Sequence, residues 1–285
     1  MTNAEQKVVL FIDILGFASL VESHPVNIDA LANFERPRWN LQPMQMADSE
    51  TSLETLKVWL EQFDKQLESF KNPLTHVFSH FHQSLAWSIS FAKMKHSLTS
   101  IVFSDSAFVA TEHLLQAVDI ASHLLLSLMS SKVPVRIGLG FGSFAAVRFK
   151  SDIALDGGDH ASQFLGTSVV RAYRAESCGL KGLRILLHPS VLPLFDDPKL
   201  RDQLRYLECP DGSAHTKADV RHEIDYWNVS KGNASKAWRA LQDMWDDAPE
   251  SEKIHYEATA KAIDRMRIGR GHEPLNRLRR RTLPT

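Results

Sequence analysis

The sequence predicts an α/β sandwich in which a mixed sheet carries helices on one face. Two observations predict this fold. Apolar runs of strand length alternate with longer segments in which apolar residues recur at helical spacing. The elements then follow in the order strand, long helical segment, hairpin, helix, hairpin, helix, strand, which favours a sheet covered by helices. With 285 residues, 44% hydrophobic and 24% charged, the chain has the composition of a soluble globular protein.

The first element is a strand over residues 8–14, an apolar run interrupted only by Asp13, which is the pattern of a strand buried on both faces. Gly16 then allows a turn, and a short helix is expected over residues 17–22. Three prolines and mixed polarity predict a loop or lid over residues 25–48. Helical spacing from residue 52 to about 95, broken at Asn72-Pro73, predicts a helical insertion at about residues 49–95.

The later elements are predicted in the same way. Residues 98–111 predict a hairpin with a tight turn at 104–106, and residues 114–130 predict an apolar helix. A strand over 133–142 is expected to end in glycine and to pair with 144–149 in a second hairpin. A helix over 164–176 is expected to open near Gly166 with Thr167 or Ser168 as its N-cap. Residues 182–188 and 226–229 predict two more strands.

Helical sequence resumes at about residue 234 and ends in an arginine-rich tail. We therefore predict a main domain over residues 1–230 and a helical C-terminal extension over residues 231–285. The basic stretch at 265–281 is interpreted as a solvated tail or a dimer contact, since the rest of the chain compensates its charge.

Composition excludes several classes of protein. A formal net charge of −1 gives no overall field that would attract nucleic acid or an anionic membrane. The apolar runs are too short to span a bilayer, and the first strand begins too early to leave room for a signal peptide. Two cysteines do not make a disulfide framework. The expectation is a cytoplasmic protein with reduced, buried thiols.

The most informative residues are Asp13 and Asp105. Each lies where an apolar strand meets a turn, and a carboxylate in such surroundings is costly unless it is paired or binds a cation. If the two strands are neighbours, the carboxylates converge and favour a divalent metal. The alternative is that each acid caps a helix or holds a turn.

Four sequence blocks in order carry a resemblance to a known family. They are FIDILGF at residues 11–17, FSDSAFVA at 103–110, VRIGLGFG at 135–142 and FLGTSVVRAYRAES at 164–177. They resemble the first metal-binding strand, the second metal-binding hairpin, the Arg-Ile-Gly strand and the transition-state helix of class III adenylate and guanylate cyclases. The resemblance implies a ferredoxin-like cyclase core and a two-metal nucleotide cyclase.

The resemblance also implies roles for single residues. Two Mn²⁺ or Mg²⁺ ions would be held by the carboxylates of Asp13 and Asp105 and by the backbone carbonyl of Ile14. The turn residues expected to contact the triphosphate are Leu15, Gly16 and Phe17. Arg174 matches the transition-state arginine, and Arg171 is the competing choice. In this family the metal-binding carboxylates and the transition-state helix come from different subunits, which implies a homodimer with shared active sites.

Three positions depart from the purine cyclases. Ile101 replaces a base-reading lysine or glutamate, Gln163 takes the second base-reading position, and Val170 takes the position of the transition-state asparagine. With these departures the chain resembles the pyrimidine cyclases of bacterial antiphage (Pycsar) systems, whose cyclic UMP or cyclic CMP activates a separate effector protein. UTP is the favoured pyrimidine nucleoside triphosphate, and CTP is its nearest rival.

Two other functions stay open, and the base-reading residues are not identified. Val170 would suit an inactive cyclase-like domain that only binds nucleotide, and the metal pair alone would suit a diguanylate-type or polymerase-like nucleotidyltransferase. Arg38, in the segment 36–40, is a candidate to contact the base or the triphosphate through its guanidinium. The alternative for this segment is a surface lid that binds no ligand.

Overall fold

A computed structural model of the chain describes residues 5–26, 71–94, 96–148, 162–201, 203–210, 219–227, 231–275 and 278. The chain divides into two compact units, Met1–Leu15 with Ser84–Thr285, and Gly16–Gln83. Nearly all of the predicted loop at 25–48 and the part of the predicted insertion before residue 71 lie outside the described residues, as does Arg38.

Eight strands are described: β1 (Glu5–Ile14), β2 (Thr99–Val102), β3 (Ser106–Thr111), β4 (Val135–Arg148), β5 (Ser162–Leu165), β6 (Ile185–Leu187), β7 (Tyr206–Glu208) and β8 (His222–Ile224). The described helices are α1 (Phe17–Ser23), α2 (Pro73–Lys93), α3 (Leu114–Ser130), α4 (Thr167–Glu176), α5 (Pro198–Arg201), α6 (Lys231–Asp247) and α7 (Glu250–Ile268). A 3-10 helix, Pro189–Asp196, follows β6.

The strands form a mixed sheet in the order β2-β3-β1-β4-β6-β8-β7, and β5 pairs with the outer half of β4. Strand β1 is antiparallel to both β3 and β4, whereas β4 and β6 are parallel. The apolar run that predicted a strand buried on both faces is therefore near the middle of the sheet, with Val8, Val9 and Leu10 fully buried. The predicted mixed sheet with helices is confirmed.

Helices cover both faces of the sheet, so the prediction of helices on one face is wrong. The α3 residue Gln116 accepts a hydrogen bond from the Thr111 hydroxyl, on the face of Val8. Helix α4 lies on the opposite face, where its backbone approaches Gly138 and Gly140. The physical reason is visible in β1, which is apolar at consecutive positions and therefore has two faces to cover.

The second predicted hairpin is also wrong. Residues 133–149 do not fold back at Gly142, because β4 runs unbroken from Val135 to Arg148 and its outer half pairs with β5. A Cβ atom on Gly138 would lie 2.2 Å from the Ala172 carbonyl oxygen, and one on Gly140 would lie 2.4 Å from the Ala172 nitrogen. These glycines allow a helix to approach the strand and do not form a turn.

Two smaller expectations also differ. Of the predicted strand at 226–229, only residues 226 and 227 are described, and neither lies in a strand. The nearby strand is β8, and Tyr226 follows it, fully buried, with its hydroxyl donating to the Leu183 carbonyl at 3.0 Å. For these two residues the apolar character indicated burial and not strand geometry. The N-cap of α4 is Gly166 without a side-chain bond, because the Thr167 hydroxyl instead accepts from the Ser143 N–H.

The C-terminal helix α7 packs against the sheet. The Thr259 hydroxyl of α7 accepts from the Leu183 N–H at 2.8 Å, and Arg265 of the same helix forms an ion pair with the buried Glu223 of β8 at 2.8 Å. The predicted boundary at residue 230 stays a prediction. Cys178 and Cys209 are free, buried thiols. Within the described ranges, no helix has both the length and the apolar character needed to cross a membrane.

Candidate functional site

Asp13 lies at the end of β1, directly between Ser106 of β3 and Arg136 of β4. Its side chain is half-buried, and none of the described residues forms a hydrogen bond or ion pair with its carboxylate. Burial, followed by the negative charges of Glu176 and Asp105, raises the pKa of Asp13 to about 7 against a smaller opposing effect of Arg136. This carboxylate therefore lacks the partner that its burial requires.

The second predicted metal ligand lies beside the first. Asp105 occupies the tight turn between β2 and β3, which is closed by a 2.8 Å hydrogen bond from the Phe103 N–H to the Ser106 carbonyl. The Ile14 N–H donates to the Asp105 carbonyl at 3.0 Å and ties this turn to the end of β1. The structure thus brings Asp13 and Asp105 together at one edge of the sheet, as the sequence predicted.

A buried ion pair borders the two acids, and sequence reasoning missed it. Arg136 donates from Nε to Glu176 Oε1 at 2.8 Å, pairs with the same oxygen through Nη2, and donates from Nη1 to the Leu180 carbonyl at 2.9 Å. Its side chain is 13% exposed and that of Glu176 is 5% exposed. The sequence did contain a signal for this ion pair. Arg136 lies near the start of an otherwise apolar strand, and a buried arginine needs an acidic partner.

The charges at this edge fit a divalent cation. Three carboxyl groups, of Asp13, Asp105 and Glu176, are near one guanidinium, and that guanidinium already pairs with Glu176. Mg²⁺ is usually held by one or two carboxylates together with substrate phosphates. Within the described part of the chain no cluster of three or more His, Cys, Asp or Glu is arranged to hold a metal. Asp13 and Asp105 stay the predicted metal ligands. The Ile14 carbonyl stays a predicted third oxygen.

The turn after β1 contributes less than predicted. The Leu15 N–H donates to the Pro134 carbonyl at 2.9 Å, which removes it from the predicted phosphate donors. Gly16 has a left-handed backbone with φ of 76° and precedes α1. Among the described residues, no backbone hydrogen bond occupies the N–H of Gly16 or Phe17, as is usual at a helix start.

The two candidate arginines of α4 have different surroundings. Arg171 donates from Nη1 to the Phe141 carbonyl at 2.7 Å and is half-buried. Arg174 is exposed, and no described residue forms a hydrogen bond or ion pair with it. Burial, together with the positive charges of Arg171 and Arg174, lowers the pKa of His188. Arg174 is therefore the guanidinium that is available to a ligand.

A groove of about 510 Å³ lies along the start of α4. It is lined by Ser143, Phe164, Leu165, Gly166, Thr167, Val169, Val170, Arg171 and Arg174. Neither Asp13 nor Asp105 lines this groove. Of the departing positions, Val170 lies in this groove, Gln163 is exposed on β5, and Ile101 is half-buried on β2.

Comparison with known proteins gives a likeness in fold alone. No family model and no curated protein matches the chain. Among solved structures, it is similar to a bacterial light-regulated adenylyl cyclase, with 13% identity, coverage of 82% of this chain and 97% of that chain, and a TM-score of 0.47. An adenylate cyclase from Trypanosoma brucei has 12% identity, 80% and 92% coverage, and a TM-score of 0.47. The guanylate cyclase domain of RhGC from Catenaria anguillulae, solved with GTP, has 14% identity, 79% and 98% coverage, and a TM-score of 0.43. What the site can do is therefore inferred from its own residues.

Proposed function

We propose that this chain is a nucleotide cyclase that converts a pyrimidine nucleoside triphosphate, with UTP favoured, into the 3′,5′-cyclic nucleotide and pyrophosphate. The observation that carries the proposal is the carboxylate of Asp13, which is half-buried, has no partner among the described residues and lies beside Asp105. Two such carboxylates are the protein ligands that a two-metal site for in-line phosphoryl displacement needs.

In the proposed reaction the ribose 3′-oxygen attacks the α-phosphorus, and pyrophosphate leaves. Bound Mn²⁺ or Mg²⁺ would acidify the 3′-hydroxyl and neutralise charge on the triphosphate. Asp13 and Asp105 would hold the cations, and Gly16 and Phe17 stay the predicted backbone contacts of the triphosphate. Because Arg174 has no partner among the described residues, its guanidinium can neutralise the charge that develops on the α-phosphate oxygens.

The sequence resemblance implies that two copies of the chain share each site. Arg174 lines a groove that neither acid lines, which is compatible with the arginine of one copy completing the metal site of the other. Exposed apolar side chains adjoin this arginine: Leu165 is 67% exposed, Val170 is 49% exposed and Tyr173 is 52% exposed. Apolar surface of this kind is typical of a protein contact, which supports a homodimer.

A pyrimidine substrate is supported by the residues at the two positions that read the base in purine cyclases, Ile101 and Gln163. Ile101 offers no hydrogen bond to a base, and the exposed Gln163 can accept and donate without favouring purines. Sites discriminate strongly between substrates through polar groups that the wrong substrate would leave unpaired. UTP is preferred to CTP, and a role in antiphage signalling through a product-activated effector is proposed, on the sequence resemblance alone.

The test is to incubate the purified protein with each of the four nucleoside triphosphates and Mn²⁺ and to identify the products by mass spectrometry. We expect cyclic UMP and pyrophosphate in equal amounts. Asp13→Asn should lower the rate by at least about 100-fold, since changes outside the first ligands of a metal already cost 10–100-fold. Glu5→Gln, an exposed acid on the same strand, is the matched control and should leave the rate unchanged.

Other products separate the alternatives. Cyclic CMP would overturn only the choice of UTP. A linear or dinucleotide product would favour the nucleotidyltransferase, and nucleotide binding without turnover would favour an inactive domain, which Val170 in the groove supports.

A further inference from the structure

The ion pair beside the two acids has a geometry that bears on cation binding. Arg136 is the direct cross-strand neighbour of Asp13 in the antiparallel pair of β1 and β4. Side chains at such positions share a face, with Cβ atoms about 4.5–5.5 Å apart, and a long arginine can span that gap. An arginine at this position would ordinarily form an ion pair with the opposite carboxylate.

In the structure Arg136 instead binds elsewhere. Its Nε and Nη2 atoms both bind one oxygen of Glu176, and its Nη1 atom binds the Leu180 carbonyl. These three contacts hold the guanidinium over the C-terminal end of α4. Asp13 is left with no ion pair to any described residue.

We propose that Glu176 is a positioning residue, which holds Arg136 away from Asp13 and so keeps Asp13 available to a divalent cation. The inference rests on the proposed function, because it assumes that Asp13 binds metal. Without the Glu176 carboxylate, Asp13 is the anionic acceptor directly opposite the arginine on the neighbouring strand. A guanidinium on Asp13 would then have to be displaced before a cation could bind.

This role predicts opposite effects for the two members of the ion pair. Glu176→Gln releases the guanidinium and should weaken Mn²⁺ binding about tenfold, the lower end of the cost of changes around metal ligands. Arg136→Met removes the competing cation and should not weaken binding. In the double variant Arg136→Met/Glu176→Gln no guanidinium remains, so Mn²⁺ affinity should return to within about threefold of the unaltered protein.

The measurement is Mn²⁺ binding to the full chain without nucleotide, followed by the electron paramagnetic resonance signal of free Mn²⁺. Thermal unfolding of each variant reports whether it is folded. Glu176→Asp, which keeps the buried charges balanced, is the second variant in case Glu176→Gln does not fold. Its shorter side chain loosens the hold on the guanidinium, so we expect binding weakened about threefold.

Each result supports the inference or overturns it. A weakened Glu176→Gln that the double variant rescues supports it. If the unaltered protein binds Mn²⁺ through Asp13, but the Glu176 variants bind equally well or the double variant stays weak, the inference is wrong and the proposed function stands. If the unaltered protein binds no Mn²⁺ through Asp13, the inference is wrong, and the assay of nucleotide products decides the proposed function separately.

Discussion

At the scale of single residues, the candidate site is defined by which charges are paired. Asp13, Asp105, Glu176 and Arg136 lie within electrostatic reach of one another, and the only cation among them is already bound to Glu176. Burial is the largest cause of the raised pKa of Asp13, and the remaining negative charge adds to it. The same negative charge suits a divalent metal.

The raised pKa of Asp13 predicts a pH dependence for the metal-free protein. Its folded pKa of about 7 lies above the ordinary 3.8, so between these values the folded protein keeps a proton that the unfolded chain releases. The free energy of unfolding should therefore fall as pH rises from about 4 to about 7 on account of this group. Urea unfolding in the presence of a chelator measures this slope, and Asp13→Asn should reduce it. An unchanged slope in the variant would contradict the assignment.

Sequence alone predicted the two acids, because an ionised group inside an apolar strand is visible as a pattern. It did not predict the Arg136–Glu176 pair, because these residues are 40 positions apart and meet only when α4 packs on β4. The N–H of Leu15 was likewise assigned to phosphate, although it binds the Pro134 carbonyl in the folded chain.

At the scale of elements, the contact between α4 and β4 positions both Arg174 and Glu176. Gly138 and Gly140 allow the helix backbone to lie directly on the strand. The sequence showed these glycines but not their purpose, because a glycine pattern is common to turns and to close backbone contacts. The existence of α4 was predictable from its spacing, and the face on which it packs was not.

Gly138→Ala should therefore destabilise the protein by about 3 kcal/mol, because its Cβ would meet the Ala172 carbonyl oxygen and the Glu176 nitrogen, both backbone atoms. Gly16→Ala is the matched control. Its Cβ would meet no atom of the described structure within 4 Å, so only its left-handed backbone is strained, at roughly 1–2 kcal/mol. Chemical denaturation measures both values. Equal losses would show that the glycine of β4 is not needed for the helix contact.

At the scale of the whole molecule, a buried network of charges links the C-terminal helix to the sheet. Glu223 is fully buried and lies 2.8 Å from Arg265 Nη2 and 3.7 Å from Arg184 Nε. Asp225 similarly accepts from Arg270 at 2.7 Å. Sequence analysis predicted a helical C-terminal extension. It could not predict these contacts, because the acidic partners of Arg265 and Arg270 lie 42 and 45 positions earlier, on β8 and directly after it.

Arg265→Met should cost about 3–5 kcal/mol, because it removes an ion-pair partner of a buried carboxylate. Arg267→Met on the same helix is the control. Among the described residues its guanidinium donates to the Glu273 carbonyl alone, at an exposed position, so the loss should stay within about 1 kcal/mol. Thermal and urea unfolding of the two variants measure the difference. Similar losses of unfolding free energy in the two variants would contradict a stabilising role of the ion pair between Arg265 and Glu223.

The position of Arg174 in a groove that neither acid lines has a consequence for kinetics. If each catalytic centre is assembled from two copies, the concentration of competent enzyme rises with the square of the chain concentration wherever association is weak. Doubling the amount of protein would then raise the output about fourfold. A cell with few copies of the chain would make very little cyclic nucleotide, so the concentration of the chain would set a threshold for its production.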